Sequence, residues 1–331
     1  MKRAVALVAM VLVAVSTPAA RAANPSWLPF SQTSEWNSPL PRDAPVDRRS
    51  DGIVAELDGL SGYQYPYLAT DGGSGVWLGT SNDPAETVAP ADGCDLPPGL
   101  NPLRIPDDAE PGSGNDSELL VYDQVQRKVV RLWEAVKSGG PGHYSWSACW
   151  SSVYFMGSSG LEGDVACQFD CDARNDGWRG LPGSLLTLRY DEVAADVAAR
   201  SPVQHVVELV SWDNAACHLW PMAGDEGHSD PLLCEGYMLR IKPQIDLSAR
   251  GLTGGCLAIA QGLQYYGGVI GDTGGHDYAN ILTVDLENVG LDGETGRWSD
   301  LGVTSDCMSG KVSFDDLEVI QGGYDRPPSG T

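Results

Sequence analysis

"ELLVYDQVQRKVVRLWEAV", residues Glu118–Val136, is the stretch whose reading decides the fold. It holds a β-rich run, a polar turn and a second β-rich run, the pattern of a hairpin. Working outward, "HYSWSACWSSVYF", His143–Phe155, alternates cleanly. A single strand there would put Tyr144, Trp146, Ala148 and Trp150 on one face, and Ser145, Ser147, Cys149 and Ser151 on the other. "QHVVELVS" and "GYMLRIK" read as further short strands. Two helices are expected, one over about Asp191–Ala199 and one over about Gly254–Tyr266, the second with Thr253 as N-cap and Gly267 as its stop. "GVIGD" then reads as a strand whose end presents Asp272. Together these predict a mainly β, α+β protein: an antiparallel β-sandwich or barrel-like core with about two helices, stapled by disulfides.

The start of the chain bears on where it works. A basic Met1-Lys2-Arg3, an apolar run over Ala4–Val15 and a small-x-small site at Ala20-Arg21-Ala22 have the form of a secretory signal peptide over 1–22. Residues 23–50, rich in proline, read as an extended N-terminal arm, 51–322 as a single mainly-β domain and 323–331 as a disordered tail. No other run of roughly eighteen apolar residues occurs, so no membrane span is expected. The expected location is outside the cytoplasm, extracellular or periplasmic, and the expected state a monomer.

Eight cysteines in an exported chain argue for disulfides. Proximity suggests Cys167–Cys171, Cys217–Cys234 and Cys256–Cys307, leaving Cys94 for Cys149. Export favours oxidation over a zinc site at Cys167-x3-Cys171, and no second close pair accompanies it.

Charge and aromatics narrow the partner. The net charge is −24, a surface that repels nucleic acid and anionic membranes. It also suits simple solubility. Ten Trp and twelve Tyr stand against four Phe. Flat rings with a polar handle suit sugar stacking, and they also suit the core of a disulfide-stapled β protein. "MGSSG" lacks the serine-hydrolase elbow, and "GSGVWLG" opens no βαβ unit.

The candidate chemistry lies in two similar loops, "GDEGHSD" at Gly224–Asp230 and "GDTGGHD" at Gly271–Asp277. Asp272 ends a strand at a glycine turn, where a carboxylate can act as acid, base or ligand, or can close an Asx-turn on its own backbone. His228 sits among acids inside the expected Cys217–Cys234 loop, where an imidazole can act near neutral pH or simply belong to a solvated turn. Asp225, Asp230 and Asp277 could supply oxygens for calcium, although neither loop has the spacing of a known calcium loop. No cofactor is otherwise expected. Glu134 and Glu208 stand as second carboxylates or, as strand residues, simply face water.

"SEWNSPLPRDAPVD", "LLVYDQVQRKVVRLWEA", "LPGSLLTLRYDEVAADV", "PMAGDEGHSDP", "GYMLRIKPQIDLSARGL" and "AIAQGLQYYGGVIGDTGG" follow one another in this order. The series resembles a family of secreted bacterial proteins of myxobacteria and actinobacteria with no established activity. The resemblance covers most of residues 33–275 and implies site roles for His205, His228 and Asp272. "VQHVV" lacks the acid that precedes the family's strand histidine, and "GDTGG" stands where the family has "ADNG". "DTGG" followed by Asp285 also resembles, over a shorter span, the double-psi barrel of wall-lytic transglycosylases.

The resulting expectation is a secreted, glycan-active enzyme that cleaves an extracellular polysaccharide by hydrolysis or elimination. Asp272 and His228 would share acid–base duty, His205 would orient one of them or contact the sugar, and Trp146, Trp150 and Tyr144 would contact sugar. The alternative is a non-catalytic carbohydrate-binding or cell-surface module, with structural calcium in the loops.

Overall fold

The computed structural model describes residues 30–60, 63–70, 74–97, 99–112, 116–160, 186–211, 214–220, 222, 224–225, 232–273, 283–286 and 297–322. In chain order the elements are α1 (Ser50–Leu60), β1 (Tyr67–Ala69), β2 (Gly75–Gly79), β3 (Ala85–Glu86), β4 (Val88–Pro90), β5 (Leu103–Arg104), β6 (Leu119–Asp123), β7 (Lys128–Trp133), β8 (Val136–Gly140), β9 (His143–Ala148) and β10 (Trp150–Phe155). They continue with α2 (Tyr190–Ala199), β11 (Val207–Ser211), β12 (Met238–Ile241), α3 (Gly254–Tyr265), β13 (Gly268–Thr273), β14 (Thr283–Asp285) and β15 (Leu317–Ile320).

The hairpin forms as its sequence dictates. β6 and β7 pair antiparallel from Leu119↔Leu132 to Asp123↔Lys128. Asp123 Oδ1 accepts the Val125 and Gln126 amides, both at 2.9 Å, closing the turn by a local side-chain bond. Leu119, Val121, Val130 and Leu132 join one apolar cluster, while Leu120, Tyr122 and Val129 join another. A hairpin buried on both faces explains why its strands read as almost unbroken apolar runs.

Those two clusters define the layers. A six-stranded mixed sheet, ordered β1-β14-β11-β13-β12-β15, carries the helices on one face. Its other face lies on a four-stranded sheet, β10-β7-β6-β2, through Val206, Val269, Leu120 and Tyr122. The far face of that second sheet, to which Trp77 of β2 belongs, is covered by Leu103 and Trp146, the last from the three-stranded β4-β9-β8 sheet. The architecture is thus mainly β and layered, with no closed barrel among the described residues. Among the described strands antiparallel pairs predominate, and three of the four sheets are mixed: β1/β14, β11/β13, β2/β6 and β4/β9 run parallel.

Three α-helices form among the described residues, α2 and α3 where the sequence places them and one beyond those two; α1, "SDGIVAELDGL", buries Ile53, Val54 and Leu57 in the helix-side core. Its two glycines weaken helix propensity, and tertiary packing overrides them. The run His143–Phe155 is not one strand. The chain breaks at Cys149, so that β9 belongs to the three-stranded sheet and β10 to the four-stranded sheet. Cys149 is bonded to Cys94 at that crossing.

α3 ends as expected. The Tyr266 and Gly267 amides both return to the Gly262 carbonyl, at 2.7 and 3.3 Å, and Gly267 takes φ +78°. That turn sends the chain directly into β13 and toward Asp272. Residues 30–49 lie across both main sheets: Trp36 Nε1 donates to the Gly160 carbonyl, and Arg240 donates to the Pro41 and Arg42 carbonyls. Cys94–Cys149, Cys217–Cys234 and Cys256–Cys307 are bonded. Cys167, Cys171 and the segments 1–29 and 323–331 lie outside the described residues. No described helix is long and apolar enough to cross a membrane.

Candidate functional site

Asp272 is aimed by a register shift. β11 and β13 run parallel, with Glu208 opposite Val269 and Leu209 opposite Ile270; the next pair is Val210 with Asp272, so the ladder steps over Gly271. Without the extra residue, Asp272 would lie with Ile270 on the helix face. With it, Asp272 shares the face of Val269 and Glu208, toward the four-stranded sheet. Re-aiming one side chain is what a bulge does.

Across the layer stands Arg131 of β7, opposite Leu120 on one neighbour and Ser152 on the other. Its side chain is buried and its guanidinium is paired with Glu118, whose Oε2 also accepts the Ser74 hydroxyl at 2.5 Å. Burial pulls the Arg131 pKa down, and the charges of Glu208 and then Asp272 push it back up. Glu208 is itself buried, while Asp272 is half-buried. One buried cation therefore faces three carboxylates, of which Glu118 and Asp272 keep partial access to solvent and Glu208 does not.

The other wall holds the end of β13 still. Asn214 Nδ2 donates to the Asp272 carbonyl at 3.2 Å and to Thr273 Oγ1 at 2.8 Å, and Thr273 Oγ1 donates to Glu235 Oε1 at 2.9 Å. The Thr273 amide donates to Asp272 Oδ1 at 2.8 Å, one residue on rather than the two of an Asx-turn, so one oxygen of the carboxylate is engaged locally. Ser152 Oγ, Asn214 Oδ1 and Trp133 Nε1 are buried without a hydrogen-bond partner among the described residues. Such groups are costly unless a polar partner reaches them, and here they gather around one cluster.

The Cys217–Cys234 loop is tied to the same place. The Glu235 amide bonds to the Cys217 carbonyl, the Leu219 amide to the Glu235 carbonyl and the Gly236 amide to the Ile270 carbonyl. Next to Leu219, Trp220 is 45% exposed.

The expected site residues separate. Asp272 is central, and Trp150 is half-buried beside Trp133, two residues beyond the Ser152↔Arg131 pair on the same face. Trp146 is 3% exposed and sits in the core, so it presents no open face for a sugar. Tyr144 lies under Lys137, whose Nζ is 4.0 Å from its ring centre, on the outer sheet. His205 is buried elsewhere, with Nδ1 2.6 Å from the Val206 carbonyl and Nε2 3.2 Å from Glu192. Glu192, despite the opposing effect of burial, is brought to a pKa of about 2 by Arg189 and His205. Asp225 is 2.8 Å from His218 Nδ1. His228, Asp230 and Asp277 lie outside the described residues. Among the described residues, no three His, Cys, Asp or Glu side chains converge as a metal-holding group.

Arg131, Glu118, Glu235 and Trp220 are the residues that sequence reasoning did not single out. The one available signal was a charge inside the doubly apolar run "KVVRLW". No family model, no curated protein and no solved structure matches the chain.

Proposed function

We propose that this chain is a secreted enzyme that cleaves a polysaccharide by hydrolysis or elimination, with Asp272 as its acid–base carboxylate. One observation carries the reading: Asp272 is turned by a bulge onto a buried, over-acidic cluster around Arg131 and keeps partial access to solvent there. A carboxylate held at the edge of such a cluster can exchange protons with a bound hydroxyl group. Arg131 and Glu208 would set its charge state and position. His228, carried by a disulfide-closed loop tied to the strand of Asp272, would be the second proton-transfer group. Trp220 and Trp150, rather than Trp146, would supply the sugar-facing rings. His205 takes no catalytic part, because both of its nitrogens are engaged away from Asp272.

The test is a panel of neutral and acidic polysaccharides, followed by reducing-end release and by the ultraviolet absorbance of an unsaturated product end. The expected result is cleavage of at least one polymer, lost in Asp272→Asn while the polymer still binds. Binding without cleavage by the wild-type chain would instead make it a carbohydrate-binding module. Full activity in a folded Asp272→Asn protein would remove Asp272 from the mechanism.

A further inference from the structure

On the opposite face of the six-stranded sheet lies a cleft of about 480 Å³ that the Asp272 cluster does not touch. Its lining includes Tyr63, Gln64, Tyr65, Arg250, Lys311 and Ser313. Tyr65 and Val312 belong to the helix-side core, whereas Glu208 and Asp272 face the other way, so the two places are separated by the sheet itself. The volume falls within the range of small-ligand sites.

Three features define what would fit. First, Tyr63 is 41% exposed yet held by two other rings: its centroid is 5.6 Å from Tyr65 at 74° and 5.4 Å from Tyr67 at 43°. A large ring kept open and pre-oriented loses little entropy when something stacks on it. Second, the polar groups of the lining are held by hydrogen bonds. Arg250 is paired with both oxygens of Asp316 and donates to the Lys311 carbonyl at 2.9 Å. Lys311 Nζ bonds to the Cys307 carbonyl at 3.1 Å, and Cys307 is bonded to Cys256. The Gln64 carbonyl accepts the Phe314 amide at 3.3 Å, fixing the opposite lip. Third, among the described lining residues two cations face one carboxylate, on a chain whose net charge is −24.

A flat aromatic platform beside fixed hydroxyl, amide and cationic donors is the chemistry of a pyranose ring: carbon-bound hydrogens on one face, oxygens around the edge. The overall negative charge disfavours nucleic acid, and the lining offers no deep apolar pocket for a peptide side chain. We propose that this cleft is a second, non-catalytic glycan site, with a sugar ring on Tyr63 and its hydroxyl or carboxylate oxygens on Arg250, Lys311 and Gln64. It shares the ligand class of the proposed enzyme but rests on none of the same residues.

The test is calorimetric titration of the full chain carrying Asp272→Asn, so that turnover does not consume the probe. The probes are cellohexaose, chitohexaose, xylohexaose and hexagalacturonate. At least one is expected to bind, and Tyr63→Ala is expected to weaken it about tenfold or more, as truncation of a central aromatic contact typically does. Tyr63→Phe, which keeps the ring, should bind like the parent and so separates stacking from folding. Lys311→Gln should weaken hexagalacturonate more than the neutral probes if the oxygens on the cations are carboxylates, and all probes alike if they are hydroxyls. No binding of any probe at millimolar concentration, or unchanged binding in a folded Tyr63→Ala chain, would overturn the proposal. Absence of cleavage by the wild type, with these isotherms intact, would overturn only the enzyme.

Discussion

Arg189 and Arg131 are both buried at the interface of the two main sheets, and they are kept there in opposite ways. Arg189 lies over the Tyr122 ring at 5.4 Å and bonds to Asp191 at 3.3 Å and to Glu192 at 3.0 Å; Glu192 in turn meets His205 at 3.2 Å. With His205 protonated, two cations meet two carboxylates and the network closes on itself. Arg131 meets Glu118, Glu208 and Asp272, an excess of acid, and the Ser152 hydroxyl opposite it is buried without a hydrogen-bond partner among the described residues. A buried charge is tolerable when paired and hydrogen-bonded. A closed network serves folding; an unbalanced one at a partly open edge is suited to take up a proton or a polar ligand. The sharpest way to break the comparison is to remove one carboxylate from each. Asp272→Asn should lower cleavage by ~10²–10⁴-fold, the usual cost of a lost proton-transfer group, while leaving the melting temperature within a few degrees. Polysaccharide turnover and thermal unfolding on the same preparation check this, and a large stability loss without a rate effect would make the cluster structural after all.

Glu192→Gln should do the reverse. It leaves Arg189 and His205 buried without their shared carboxylate, a change that typically costs ~3–5 kcal/mol of stability. Activity per folded molecule should be unchanged. The pH dependence sharpens the point. The Glu192 pKa is about 2 in the fold against an ordinary 4.5, so its contribution is present above 4.5 and is lost as pH falls toward 2. The His205 pKa is raised above 6.5, where burial alone would lower it, because Glu192 favours the charged ring. Its contribution is therefore present below 6.5 and is lost as pH rises through the raised value. Denaturant melts of wild type and Glu192→Gln should thus differ most between about pH 5 and 6 and converge in acid.

The Cys217–Cys234 bond belongs to the Arg131 side of the comparison, since it closes the loop that carries His228 and Trp220. A bond across a separation of 17 residues constrains the unfolded chain by ~2–4 kcal/mol. The paired Cys217→Ala, Cys234→Ala protein should lose about that much stability and most of its turnover. Cys256→Ala with Cys307→Ala, remote from Asp272, should lose stability alone. Equal turnover losses from the two would show that the loop has no special part.

The sequence shows clearly what is local. Turn chemistry at Asp123 and the double-faced apolar runs beside it announce the β6–β7 hairpin, and Gly267 announces the end of α3. Asp272 is visible because a strand meets a glycine turn there. What stays hidden depends on which sheet covers which face. Arg131 in "KVVRLW" and Glu208 in "VELVS" look like the solvent side of a strand until a second sheet is laid on them. Trp146 and Trp150 share a parity in sequence, but the chain changes sheet at Cys149, so one ring enters the core and the other stays at the Arg131 face. The Gly271 bulge also defeats a parity argument, since period-two counting puts Asp272 with Ile270. α1 stayed hidden for a different reason: its glycines mask a short apolar stripe that only the sheet beneath can complete.

The smallest expected effect tests whether the Arg189 network really closes at Glu192 and His205. Asp196, one turn further along α2, is 7% exposed; its Oδ1 accepts the Ser201 hydroxyl at 2.7 Å and the Gln204 amide at 3.2 Å. Burial lifts its pKa to about 6, outweighing those bonds. For an acid shifted upward, the protonated form is favoured in the fold, so its contribution is fully present below the ordinary 3.8 and is lost as pH rises through 6. At neutral pH the charged carboxylate is therefore a burden of ~1–3 kcal/mol. Asp196→Asn keeps an oxygen for Ser201 and Gln204 and removes the charge. It should be more stable than wild type at pH 7 by up to that amount, equal to it below about pH 4, and unchanged in turnover. Denaturant melts at the two pH values decide the matter. If Asp196→Asn is instead less stable at pH 7, the charge of Asp196 is needed by His205, and the network extends along the helix rather than closing.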